Sequence, residues 1–109
     1  MSLNIKEEIK TPWTILHLNG KLDVITSAML DEALYKCFHE GKSHIAIDFS
    51  HLVYLSSSGI RVLLSQTKKF FEQKRRFALY ALPEHIMEII RLAGFDKVFV
   101  IAKEFKDLK

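Results

Sequence analysis

Asp48-Phe49-Ser50-His51-Leu52-Val53-Tyr54-Leu55-Ser56-Ser57-Ser58-Gly59-Ile60-Arg61-Val62-Leu63-Leu64 decides the reading of this chain. Upstream of it, residues 43–49 alternate, with Ile45, Ile47 and Phe49 on one side, and predict a buried strand. Residues 50–55 then read as a loop. Three serines and a glycine follow, and after them apolar residues recur at helical spacing, so a helix is expected over residues 57–73. Ser56 is the best N-cap candidate, because it makes Leu55 and Ile60 the two halves of a hydrophobic staple. Ser57 and Ser58 then occupy the first two helical positions, where backbone N–H groups have no intrahelical partner and the helix dipole is positive. A phosphate on Ser57 would be electrostatically welcome there, with Arg61 four residues on along the same face. The competing reading is plain capping, since serine at a helix start is what capping alone predicts.

Outward from this segment, strand and helix patterns alternate. The expected face of the central helix is Ile60, Leu63, Leu64, Thr67 and Phe71, with Lys74-Arg75-Arg76 closing it. Residues 77–82 form the next strand. Pro83 suits the first position of a third helix with Ile86, Ile89, Ile90 and Ala93 inward and Gly94 as its stop. A last strand is expected over residues 97–101 and a short helix over residues 104–108. Toward the N-terminus, residues 13–18 alternate Trp13, Ile15 and His17 against Thr14, Leu16 and Leu18, and Asn19-Gly20 ends the strand. Thr26 reads as the N-cap of a helix stapled by Ile25 and Leu30, whose inner stripe is Leu30, Ala33, Leu34, Cys37 and Phe38, stopped at Gly41. Residues 3–9 form an edge strand blunted by Lys6, Glu7 and Glu8. The order β-β-α-β-α-β-α-β implies parallel βαβ units with right-handed crossovers.

The same sequence excludes several classes of function. At 109 residues, 49% hydrophobic and 27% charged, the chain has the composition of one globular domain. One cysteine, Cys37, makes neither an internal disulfide nor a thiolate zinc cluster, and it fits a reducing compartment. No apolar run approaches the roughly 18 to 20 residues that span a bilayer, and no leader pattern opens the sequence, so neither a membrane nor export is expected. His17, His39, His44, His51 and His85 lack paired metal spacing and are expected in solvated or satisfied structural roles. No GxGxxG, P-loop or GxSxG pattern occurs. Asp23 and Asp48 each follow a strand, yet no acidic pair precedes Asp48, which argues against a magnesium-dependent phosphoaspartate site. A net charge of +3 is modest, and the Lys68-Lys69 and Lys74-Arg75-Arg76 cluster reads as a solvated helix end in preference to a nucleic-acid surface. No catalytic residue, metal or cofactor is expected.

The central segment also resembles the signature of STAS domains, the fold of bacterial anti-sigma factor antagonists, roughly D-[LF]-S-x-[LV]-x-[FY]-[ML]-D-S-[SA]-G-[LI]-x-x-[LV]. Asp48, Ser50, Leu52, Tyr54, Leu55, Ser57, Ser58, Gly59 and Ile60 match it. Gly20-Lys21-Leu22-Asp23 with Thr26 resembles the family's G-x-[LI]-D-x-x-[TS]. Pro83 stands where its third helix often opens, and residues 92–99 resemble its last helix and strand. The resemblance implies an α/β fold: a single STAS-type domain over residues 1–109, with a mixed, mostly parallel sheet of four or five strands and three to four helices. It implies a non-enzymatic regulator that binds a serine kinase acting as an anti-sigma factor and is switched by phosphorylation of Ser57. Ser56 and Ser58 are alternative acceptors, and Asp23, Val24, Thr26, Ser56, Gly59 and Arg61 are the expected partner contacts. A cytoplasmic chain, monomeric when free, follows from the same likeness. Ser56 stands where the family has aspartate; the two cap equally well, but the charge is lost. The alternative reading is a phosphorylation-independent scaffold subunit of a signalling or transporter complex.

Overall fold

The computed structural model describes residues 3–108. In chain order it contains β1 (Leu3–Lys10), β2 (Trp13–Leu22), α1 (Val24–His39), β3 (His44–Leu55), α2 (Ser57–Glu72), β4 (Arg76–Tyr80), α3 (Glu84–Leu92), β5 (Val100–Ala102) and a 3-10 turn at Phe105–Asp107. The five strands lie in the order β1-β2-β3-β4-β5. β1 runs antiparallel to β2, and the other three pairings are parallel. A monotonic strand order with crossovers of one hand sends every connecting helix to the same face. The packing follows: Leu30, Leu34 and Cys37 of α1, Ile60, Leu63 and Phe70 of α2, and Ile86 and Ile90 of α3 share one core with Leu16, Leu18, Ile45, Ile47, Phe49, Phe77 and Leu79 of the sheet. The opposite face carries a smaller cluster of Trp13, Ile15, Ala46, Ala78 and Tyr80, against which Phe105 and Leu108 pack. The expected α/β class and mixed, mostly parallel sheet are thus observed.

Several local expectations need correction. β3 does not end at Phe49 but continues to Leu55 through two register shifts against β2. His17 faces Asp48 but Asn19 faces His51; Gly20 faces Leu52 but Lys21 faces Tyr54. Each shift adds one residue to β3, a β-bulge. The buried residues explain it. Phe49, Leu52 and Leu55 all point into the helix-side core at intervals of three, which a strand of period two achieves only by bulging. The broken alternation is what made this segment read as a loop. β2 likewise runs past Asn19-Gly20 to Leu22, with Gly20 at φ 122° beside the second shift.

The helix ends and faces also move. The N-cap of α1 is Asp23, not Thr26; Thr26 is the third residue of the helix, and Val24 and Ile25 are solvent-facing, so the Ile25–Leu30 staple is absent. A carboxylate at Asp23 that reaches Thr26 outcompetes the threonine because it forms a reciprocal capping box. In α2 the inward aromatic is Phe70, fully buried, whereas Phe71 is exposed. Phe70 meets Phe38 and Phe77 at ring-centroid distances of 5.2 and 5.3 Å, contacts with other elements that the helical period alone does not reveal. Pro83 is the N-cap of α3 instead of its first residue, α3 stops before an exposed Ala93, and β5 is only three residues long. Arg75 leaves the basic cluster for a structural duty. Its guanidinium stacks on Phe38 at 4.2 Å and donates to the Phe38 carbonyl at 2.8 Å, near the C-terminus of α1.

Candidate docking site at two helix starts

Leu22 ends β2, Leu55 ends β3, and the two are register partners. Asp23 and Ser56, the next residues, are therefore set side by side as the N-caps of α1 and α2. The Ser56 N–H donates to the Leu22 carbonyl at 2.9 Å and fastens the two turns together. This is the C-terminal end of the parallel strands, where open α/β sheets place their functional loops.

Each cap is built from a few bonds. Ser56 Oγ accepts from the Gly59 N–H at 3.1 Å, and the Ile60 N–H donates to the Ser56 carbonyl at 3.0 Å. Leu55 and Ile60 are both buried, in the positions of the expected staple. Around α1, the Thr26 N–H donates to Asp23 Oδ1 at 2.9 Å and the Asp23 N–H to Thr26 Oγ1 at 2.9 Å, while the Thr26 hydroxyl donates to the Lys21 carbonyl at 2.7 Å. The Thr26 amide bond leads the effects that hold the Asp23 carboxyl below its ordinary 3.8.

The serines have distinct surroundings. Ser57 is exposed, and it borders an apolar groove of about 270 Å³ formed with Ile60, Arg61, Leu64, Ala93 and Phe95. Ser58 is half-buried and faces the other way, toward a groove of about 340 Å³ that includes Val24, Ser27, Asp31 and Ser65. Ser56 is half-buried and engaged in the cap. Arg61 is exposed and borders both grooves. Val24 is 73% exposed and Ile25 80% exposed, so two apolar side chains stand in water at the start of α1. Tyr54 and Val53 add exposed apolar surface at the end of β3.

The structure thus brings Asp23, Val24, Ser56, Ser57, Ser58 and Arg61 to the surface at one end of the sheet. It places Thr26 and Gly59 in the interior. Thr26 shapes the site through its cap. Gly59 does so by allowing close approach, because a Cβ there would lie 2.8 Å from Leu55 Cδ1 and 3.1 Å from Leu22 Cβ. Gly59→Ala is therefore expected to destabilise the fold even though alanine favours helix by about 1 kcal/mol. Overpacking two buried leucines outweighs that gain, and the thermal midpoint should fall by roughly 5 °C in a calorimetric scan. Ala93 and Phe95 were not among the expected contacts. Residues 92–99 did stand out in the sequence, but only as a likeness to the family's last helix and strand. Among the described residues, no group of three His, Cys, Asp or Glu side chains is placed to hold a metal, and no helix is long and apolar enough to cross a membrane.

The STAS domain profile matches residues 2–108, and the chain belongs to the STAS domain family. Among individual relatives, it is 29% identical over 93 residues to the anti-sigma-F factor antagonist RsfB of Mycobacterium tuberculosis, covering 85% of this chain and 75% of that protein. The fold matches the crystal structure of an anti-sigma factor antagonist from Mycobacterium paratuberculosis with a TM-score of 0.89 at 23% identity, over 97% of this chain and 90% of that one. It also matches the phosphorylated form of the Bacillus cell fate determinant SpoIIAA with a TM-score of 0.73 at 16% identity, over 98% and 96% of the two chains.

Proposed function

We propose that this chain is an anti-sigma factor antagonist: a cytoplasmic protein, monomeric when free, that binds a serine kinase serving as an anti-sigma factor and is switched off by phosphorylation of Ser57. The observation that carries the reading is the position of Ser57. Its side chain is exposed at the first turn of α2, beside an apolar groove and one turn before Arg61. A helix start accepts negative charge, so the fold survives the modification, while a partner seated over the groove meets a new dianion. The likeness to RsfB, named for antagonism of an anti-sigma factor, and to SpoIIAA, solved in a phosphorylated form, supports the same reading. Ser58 faces a different groove and Ser56 is held in its cap, which makes them the lesser acceptors.

Ser56 in place of the family aspartate favours a second reading, a scaffold that binds without being phosphorylated. Incubation with the candidate kinase and ATP, followed by peptide mapping by mass spectrometry, separates the two. The switch requires a phosphate on Ser57. Stable binding with none of Ser56, Ser57 or Ser58 modified gives the scaffold.

A further inference from the structure

On the sheet face away from the helices, His17 of β2 lies between two carboxylates. Its Nδ1 is 2.6 Å from Asp48 Oδ2, and its Nε2 is 2.7 Å from Glu8 Oε1. Glu8 belongs to the edge strand β1, and Asp48 is the β3 residue where the first bulge begins. Asp48 Oδ1 also accepts from the Ser50 N–H at 2.9 Å, inside that bulge. A neutral imidazole has one N–H; two ionised carboxylates accept and cannot donate. Both short bonds therefore exist together only when the ring carries two protons.

We propose that Glu8, His17 and Asp48 form a proton-operated latch that ties the N-terminal edge strand to the β3 bulge leading toward the docking turn. The latch is independent of how Ser57 is read. The other charged and titratable groups facing it are Lys6 and Lys10 on β1, His51 on β3 and Tyr80 on β4. Glu7, also of β1, lines the groove that Lys6, Glu8, His17, Asp48 and His51 form here.

The groups respond to pH in opposite senses. Partial burial disfavours the charged His17 ring, but its bonds to Asp48 and Glu8 outweigh this and hold it above its ordinary 6.5. Burial also opposes ionisation of Asp48, yet the Ser50 amide and His17 hold its carboxyl below 3.8. The bond from His17 leads in holding Glu8 below 4.5. A ring held high contributes stability fully below pH 6.5 and loses it as pH rises through the folded-state value. Carboxyls held low contribute above 3.8 and 4.5 and lose it as pH falls through their folded-state values. The latch is closed in mild acid and loosens as pH rises through the folded-state value of His17. The more buried Asp48 keeps the remaining imidazole proton, so the Glu8 bond is lost first and β1, still paired along β2, loosens. Strong acid acts at the other end, where protonation of Asp48 weakens its hold on Ser50.

The test is an NMR titration of the full chain, following the His17 ring and the amide protection factors of β1. His17 should titrate above the value of a free histidine, and Glu8→Gln, an exposed and isosteric change, should lower that midpoint. In the unmodified chain, protection at Lys6 to Glu8 should fall by roughly three- to tenfold across the same midpoint, the worth of one ordinary hydrogen bond. A His17 midpoint at or below that of free histidine would overturn the latch. So would a midpoint unmoved by Glu8→Gln, or β1 protection that is flat across it.

Discussion

Phe70→Ala should lower the unfolding free energy by about 3 to 5 kcal/mol, a large share of the roughly 5 to 15 kcal/mol that holds such a domain together. Phe70 is fully buried under α2 and packs between Phe38 of α1, edge-on, and Phe77 of β4, tilted. Truncation removes its burial and leaves a cavity bounded by three elements that cannot all close in at once. Urea unfolding followed by circular dichroism measures the loss. The neighbouring Phe71→Ala is the control. Phe71 is 42% exposed, and its removal leaves no enclosed cavity, so it should cost only about 1 to 2 kcal/mol. Equal losses at the two positions would mean that α2 presents a different face to the sheet.

The second large effect falls on binding. On the proposed reading, phosphorylation of Ser57 should weaken the complex with an anti-sigma factor kinase by about a hundredfold or more, read by calorimetric titration. The groove beside Ser57 is lined by Ile60, Leu64, Ala93 and Phe95, and a partner that covers it must desolvate whatever stands at its edge. A hydroxyl is easily desolvated; a phosphate of charge about −1.5 to −2 is not. Arg61, at the rim of the same groove, is near enough in the helix to meet the phosphate and be withdrawn from the partner. Ser57→Ala removes neither groove nor arginine and should leave affinity within a few-fold.

Much of this arrangement was legible in the residues. The alternation in β2, the first part of β3, the Ser56 cap with its Leu55–Ile60 staple and the start of α2 all follow from local rules, because each depends on neighbours within one turn or one strand. The failures share a different cause. The bulges in β3 exist because Leu52 and Leu55 must reach a core built by distant helices. Phe70 is preferred to Phe71 by rings on α1 and β4. At the start of α1, Asp23 and Thr26 are both good caps, and the Lys21 carbonyl that engages the threonine hydroxyl helps decide between them. In the site itself, the serines and Arg61 were visible as a pattern. The grooves that distinguish Ser57 from Ser58 were not, because the turn after α3 walls one and α1 walls the other. The pairing of His17 with Asp48 and Glu8 was equally hidden, since it joins three strands.

The central claim is that negative charge at Ser57 changes what docks on the molecule and not the molecule itself. Ser57→Asp, unfolded in urea without any partner present, tests it most directly. A carboxylate in the first turn of α2 meets the positive end of the helix and open solvent, so the unfolding free energy should stay level or rise by about 0.3 to 1 kcal/mol. A fall of more than about 1 kcal/mol would place the Ser57 side chain against buried surface and contradict the account.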